Sequence, residues 1–87
     1  MALSDDFASA QAKVKQLPKT PDASELLELY ALFKQATVGD VQGERPGMLD
    51  FKGRAKYDAW AGKKSLGKDA AMQSYVSLVE QLSGKYA

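Results

Sequence analysis

Residues 30–60 read YALFKQATVGDVQGERPGMLDFKGRAKYDAW, and the reading of this stretch decides the fold. Its opening sets Tyr30, Phe33 and Lys34 at i, i+3 and i+4, a spacing that brings two rings and an ammonium onto one helical face. Gly39 ends that pattern, and a loop punctuated by Gly43, Pro46 and Gly47 follows. A second helical pattern then places Lys52 and Lys56 four residues apart. If the two patches face one another across the bend, aromatic rings lie beside three cations. That chemistry suits an anionic ligand with a flat ring system, such as a nucleotide.

Upstream, Thr20 is the expected N-cap of the helix that carries Tyr30, with Pro21 at its first position and Asp22 and Glu25 complementing the dipole. This helix runs to about Val38. Leu26, Leu29, Tyr30 and Phe33 form one face and Leu27, Ala31 and Val38 another, so it reads as a central element with more than one neighbour. Further upstream, Phe7, Ala10, Val14 and Leu17 make one stripe of an amphipathic helix over Asp5–Leu17, capped by Ser4 or Asp5 and stopped by Pro18.

Downstream, Asp50 caps a third helix, Phe51 to about Lys64, with apolar positions at Phe51, Ala55, Ala59 and Trp60. Gly53 and Gly62 weaken it, so tertiary contacts must hold it. A fourth helix starts near Lys68-Asp69, with Met72, Tyr75, Val76, Val79 and Leu82 as its stripe and Gly84 near its end. The loop from Gly39 to Leu49 is long enough to join helices that are not antiparallel neighbours. No β-alternation of useful length occurs. The fold class is all-α, a four-helix bundle in a single domain over residues 1–87.

The absence of cysteine removes disulfides, zinc-thiolate sites and thiol nucleophiles, and the absence of histidine removes the commonest general base. No apolar run reaches membrane-spanning length, and the opening Met1-Ala2-Leu3-Ser4-Asp5-Asp6 lacks a basic start and an apolar core, so a cytoplasmic location is expected. The net charge of +1 is far from the basic excess of a nucleic-acid binder. Between Lys34 and Lys64, however, seven basic residues stand against four acids, so any anion site is local.

No catalytic constellation emerges. Asp5 with Asp6, and Glu25 with Glu28, are the only paired carboxylates of note, and both pairs read as charges complementing first helical turns. No metal-ligand spacing exists. What remains is binding by Tyr30, Phe33, Lys34, Lys52 and Lys56, for which spacing alone leaves two readings open. The rings can stack on a base while the lysines neutralise phosphate, or the rings can be core and the lysines solvated.

The segments YALFKQATVGD and RPGMLDFKGRAKYDAW resemble the signature of the acyl-CoA-binding protein family, and the resemblance extends from about Phe7 to Tyr86. It implies a skewed bundle of up-down-down-up order. It also implies a non-catalytic protein that transports and buffers long-chain fatty acyl-CoA esters. Such a protein needs no cofactor, has no nucleic-acid partner, makes at most transient membrane contact and is expected to be a monomer. In the family, residues matched here by Tyr30, Lys34, Lys52 and Lys56 surround the adenosine and its 3′-phosphate. Lys15 matches a first-helix lysine of the site and Tyr75 a fourth-helix tyrosine. Phe7, Val14, Leu17, Tyr75, Val76, Val79 and Leu82 match positions that pack the terminal helices.

Three residues depart from the family pattern. Phe33 stands where a second tyrosine is usual, Tyr57 replaces a tryptophan, and Gln11 replaces a small alanine that leaves room beside the first helix. The competing readings are a helical protein-interaction module and a nucleic-acid-binding module that use the same basic-aromatic face.

Overall fold

The structure, a computed structural model, describes residues 2–86. Four α-helices carry the chain: α1 (Leu3–Lys15), α2 (Ala23–Thr37), α3 (Phe51–Ala61) and α4 (Lys68–Lys85). No strand occurs among the described residues. α4 packs against α1 and α2, and α2 packs against α3, whereas the backbones of α1 and α2 make no close approach. The order is up-down-down-up. The parallel pair α2 and α3 requires the chain to return along their length, which the long loop between them does.

Phe7 and Ala10 of α1, Leu29, Leu32 and Ala36 of α2, and Ala71, Tyr75, Val79 and Leu82 of α4 form the buried core. Val14, Leu17, Met72 and Val76 pack against its edge. The stripes read from α1 and α4 are therefore the ones that meet. Trp60 is buried separately between α2 and α3, where its Nε1–H donates to Gly39 O at 2.8 Å.

The helix termini depart from expectation in four places, one of them the end of α1, at Lys15 rather than Leu17. α1 begins at Leu3 with Ala2 at the N-cap and no side-chain cap, so Ser4 and Asp5 lie inside it; the Asp5 and Asp6 amides both donate to Ala2 O. α2 begins at Ala23 rather than after Thr20. The Asp22 carboxylate accepts from the Glu25 amide at 2.9 Å, and the Asp22 amide donates to Glu25 Oε1 at 3.0 Å. This capping box satisfies two donors where Thr20 offers one acceptor, which moves the start two residues on. α3 ends at Ala61, three residues short of Lys64, and passes into a run of turns. α4 ends at Lys85, with Gly84 near its end as expected, and Lys85 and Tyr86 are both tied to Glu25 at the start of α2.

Three side chains sit differently from their sequence pattern, one of them Leu26, which is read as part of an apolar α2 face and is 44% exposed. Phe51, read as an apolar contact of α3, is 76% exposed. Val38, read as part of an apolar arc, caps α2 and is 38% exposed. The Asp50 cap is as expected, with its carboxylate accepting from the Gly53 amide at 2.9 Å. Gly53 has a use here, since a Cβ at that position would collide with the Asp50 carboxylate.

Candidate functional site

The parallel packing of α2 and α3 sets up a ladder of rings and cations. Tyr30 and Lys34 lie four residues apart on α2, and Lys56 and Trp60 four apart on α3. Each helix therefore offers one ring and one cation a turn apart, in opposite order. Lys56 Nζ stands 5.5 Å from the Tyr30 ring centroid, and Lys34 Nζ stands 5.0 Å from the Trp60 centroid. Neither ammonium has an acidic partner among the described residues, where the ion pairs are Arg45–Asp58, Lys63–Glu28 and Lys85–Glu25. Lys34 and Lys56 thus face the same seam but rest on different rings.

Tyr30 also divides two clefts. On one side, where α1 and α2 diverge, a cleft of about 550 Å³ is lined by Gln11, Val14 and Lys15 of α1, Leu29, Tyr30 and Phe33 of α2, and Tyr75 of α4. On the other side, a smaller cleft of about 330 Å³ lies between α2 and α3. Its walls are Ala23, Leu26, Leu27 and Tyr30 of α2 with Phe51, Lys52, Ala55 and Lys56 of α3, and the surface they present is almost wholly apolar. Leu26 and Tyr30 line both clefts. A further cleft between α2 and α4 has the Glu28–Lys63 ion pair at its wall and no aromatic ring, so it offers neither stacking nor a free cation.

Six of the seven residues selected from the sequence line one or both of the Tyr30 clefts, but not as one cluster. Lys15, Tyr30, Phe33 and Tyr75 share the α1–α2 cleft, while Lys52 and Lys56 share the α2–α3 cleft with Tyr30. Lys34 lines neither and lies over Trp60. Phe33 is partly core, stacked on Phe7 with centroids 6.1 Å apart, and Tyr75 meets Phe7 edge to face at 5.0 Å. Tyr75 is buried, which raises the pKa of its phenol above the ordinary value. Gln11 lines the cleft without filling it, its amide turned back toward Phe7 O at 3.5 Å. Tyr57 donates its hydroxyl to Gly43 O at 3.0 Å, and so ties the α2–α3 loop to α3.

Several supporting residues carried no signal in the sequence. Gln35 is buried, and its Nε2 donates to Asp40 at 2.9 Å and to Leu66 O at 2.8 Å. The same Asp40 oxygen accepts from the Ser65 amide at 2.8 Å, and Ser65 adopts a positive φ of 76°. The Ser65 amide first, and Gln35 second, hold the Asp40 carboxyl below its ordinary pKa. This clasp fixes the α3–α4 turn against the end of α2. Arg45 holds Asp58 through two hydrogen bonds of 2.8 and 2.7 Å, which pins the long loop to α3. In the sequence Leu26 and Leu27 read as faces of a core helix, and only the one-turn spacing from Tyr30 links Leu26 to the site.

Six of the carboxylates have structural partners. Asp22 and Glu25 form the α2 cap, Asp50 caps α3, and Asp40 and Asp58 hold loops. Glu28 lies beyond the first turn and pairs with Lys63, so it does not form the helix-start pair read from the sequence. Among the described residues no group of His, Cys, Asp or Glu is arranged to hold a metal ion. No described helix is long and apolar enough to cross a membrane.

Four helices with a cleft on each side of a central tyrosine make a small helical binding domain. The family model described as acyl-CoA-binding protein matches residues 4–79. An acyl-CoA-binding protein homolog from Caenorhabditis elegans is 56% identical over 80 residues, covering 92% of this chain and 93% of the relative. A Drosophila melanogaster homolog is 51% identical over 85 residues, covering 98% and 99%. The crystal structure of Oryza sativa acyl-CoA-binding protein 2 superposes with a TM-score of 0.91 at 40% identity, covering 97% of this chain and 93% of that one. The chain belongs to the acyl-CoA-binding protein family.

Proposed function

We propose that this chain binds long-chain fatty acyl-CoA esters without chemical change and acts as an intracellular carrier and buffer for them. The observation that carries this reading is the position of Tyr30 between two clefts of different character, one rimmed by Lys15 and the other apolar with Lys52 and Lys56 at its edge. The ligand has the same two characters, a charged nucleotide head and an apolar chain. Tyr30 would stack on the adenine, with Phe33 and Tyr75 behind it and Lys15 at the rim. Lys34 and Lys56 would leave their rings to meet the 3′-phosphate, and Lys52 would add charge beside them. The acyl chain would lie along Leu26, Leu27 and Ala55.

Such a protein solves a physical problem. Burying a methylene is worth about 0.8 kcal/mol, so a free long-chain ester partitions into membranes and micelles. No cofactor enters the reading and no residue acts as nucleophile or base. Cytoplasmic residence and a monomeric state are part of the proposal. The class of ligand is tested by titrating palmitoyl-CoA and single-stranded oligonucleotide at two salt concentrations. A carrier binds the ester far more tightly and with a shallow salt dependence. Tight oligonucleotide binding with a steep salt slope, and weak ester binding, would show that the same face serves nucleic acid.

A further inference from the structure

We propose that Gln11 is a specificity-determining residue of the α1–α2 cleft, its carboxamide pairing with the amino group and the adjacent ring nitrogen of a bound adenine. This role deepens the acyl-CoA reading and rests on it. Gln11 lies one turn before Lys15, so an amide and a cation share the wall that α1 gives to the cleft. Its half-buried amide is only loosely engaged. Nε2 stands 3.5 Å from Phe7 O, at the outer limit for a hydrogen bond, and Oε1 accepts none among the described residues. An amide that serves the fold is held as Gln35 is, by two bonds of 2.9 and 2.8 Å.

Chemistry selects the edge of the ligand. A carboxamide carries a donor and an acceptor side by side in one plane, and adenine offers the complementary pair, an N6 amino donor beside a ring-nitrogen acceptor. Among the described residues lining the cleft, only Gln11 has both in fixed register. Lys15 and Lys19 only donate, Thr20, Tyr30 and Tyr75 each present a single hydroxyl, and Phe33 presents none. The cations meet phosphate and the rings meet the face of any base, so neither tells adenine from another purine. Reading the base falls to the residue that addresses its edge.

A side chain of this size can also serve merely to narrow a cleft. Gln11 nevertheless leaves about 550 Å³ open, more than the 330 Å³ between α2 and α3. A spacer is also better made of an apolar side chain, because a half-buried amide oxygen without a donor carries a desolvation cost. That cost disappears when an adenine N6–H supplies the missing donor.

The test is calorimetry of palmitoyl-CoA and of its purine analogue, in which hydrogen replaces the 6-amino group of the base. Each ester is titrated into the unaltered chain, Gln11→Met and Gln11→Ala, both replacements being helix formers that keep α1 intact. The unaltered chain should prefer the adenine ester about tenfold, since a base-edge pair discriminates by about fivefold to a hundredfold and this cleft is open to water. Gln11→Met keeps the bulk without the hydrogen bonds, and it should cut the preference to about twofold or less by weakening the adenine ester selectively. Gln11→Ala should do the same. No preference in the unaltered chain, or one that persists in both variants, would overturn the proposal. Tighter binding of both esters by Gln11→Ala at an unchanged preference would make Gln11 a spacer instead. Each of these results leaves palmitoyl-CoA binding by the unaltered chain intact. A failure of that binding would remove the carrier reading and the role of Gln11 together.

Discussion

Under the carrier reading, Lys56 would serve both the Tyr30 ring and the ligand phosphate. Resting 5.5 Å over the Tyr30 ring, it gains about 0.5–1 kcal/mol from the cation–π contact at an exposed position. A charge-assisted hydrogen bond to phosphate is worth about 1.5–3 kcal/mol, so a phosphate within reach wins and the ring is freed to stack. Lys56→Ala is expected to weaken palmitoyl-CoA binding about tenfold to a hundredfold. It should matter much less for the 3′-dephospho ester, and calorimetry of both ligands with both proteins closes a cycle that isolates the contact. Equal losses on the two esters would assign Lys56 to a diffuse field. The placement of Tyr30 with Lys34, and of Lys52 with Lys56, one turn apart on a single helix was legible in the sequence. The pairing of Lys34 with Trp60, and of Gln35 with a carbonyl 31 residues away, was not. Those contacts exist only once α2 and its neighbours have packed.

At the scale of the elements, the stripe of α4 decides stability. Val79 and Leu82 are almost fully buried between α1 and α2. Leu82→Ala removes a filled volume from a small core and should cost about 2–4 kcal/mol in denaturant unfolding. That is a large share of the roughly 5–10 kcal/mol a domain of this size holds. Affinity of the folded fraction should be unchanged, because Leu82 lines neither Tyr30 cleft.

The N-terminus of α2 gives a pH prediction. Glu25 is held below its ordinary pKa of 4.5, chiefly by the Tyr86 hydroxyl and then by Lys85 and the Asp22 amide. Asp22 is likewise held below 3.8, first by the Glu25 amide. A lowered folded pKa means that the unfolded chain takes up protons first as pH falls, so stability from these groups is complete above the ordinary values and is lost below them. The melting temperature should therefore drop on acidification below about pH 4.5, and Glu25→Gln should flatten that drop. An unchanged acid slope in the variant would move the effect to Asp40 and Asp58. The stripes of α1 and α4 were readable because burial repeats with the helical period. Of the two α2 arcs, by contrast, only Leu29 and Ala31 are buried, and Leu32 and Ala36 complete that core face. The starts of α1 and α2 were misplaced because several residue types can cap, and only reciprocal bonding between Asp22 and Glu25 decides among them.

Across the whole molecule, the division of labour follows from which helices touch. α4 joins α1 to α2, and α2 carries α3, so the open spaces fall where α1 and α2 diverge and where the small Ala55 leaves room beside α2. The four-helix class followed from the sequence pattern, and the long loop permitted the parallel α2–α3 pair. Which faces remain open did not follow, since it depends on crossing geometry that a stripe of residues does not encode. Ligand binding should raise the melting temperature with palmitoyl-CoA and scarcely at all with free CoA at the same concentration, because the stabilisation scales with affinity.

The carrier reading is tested most directly by calorimetric affinity across saturated acyl-CoA esters of increasing chain length. Full burial of each methylene is worth about fourfold in affinity, and a cleft open on one side should give between about twofold and fourfold per methylene. Affinity should climb at that rate from short esters toward palmitoyl-CoA and level off once the α2–α3 cleft is filled. Equal affinity for free CoA and every ester would contradict the reading, because the apolar cleft would then hold no part of the ligand.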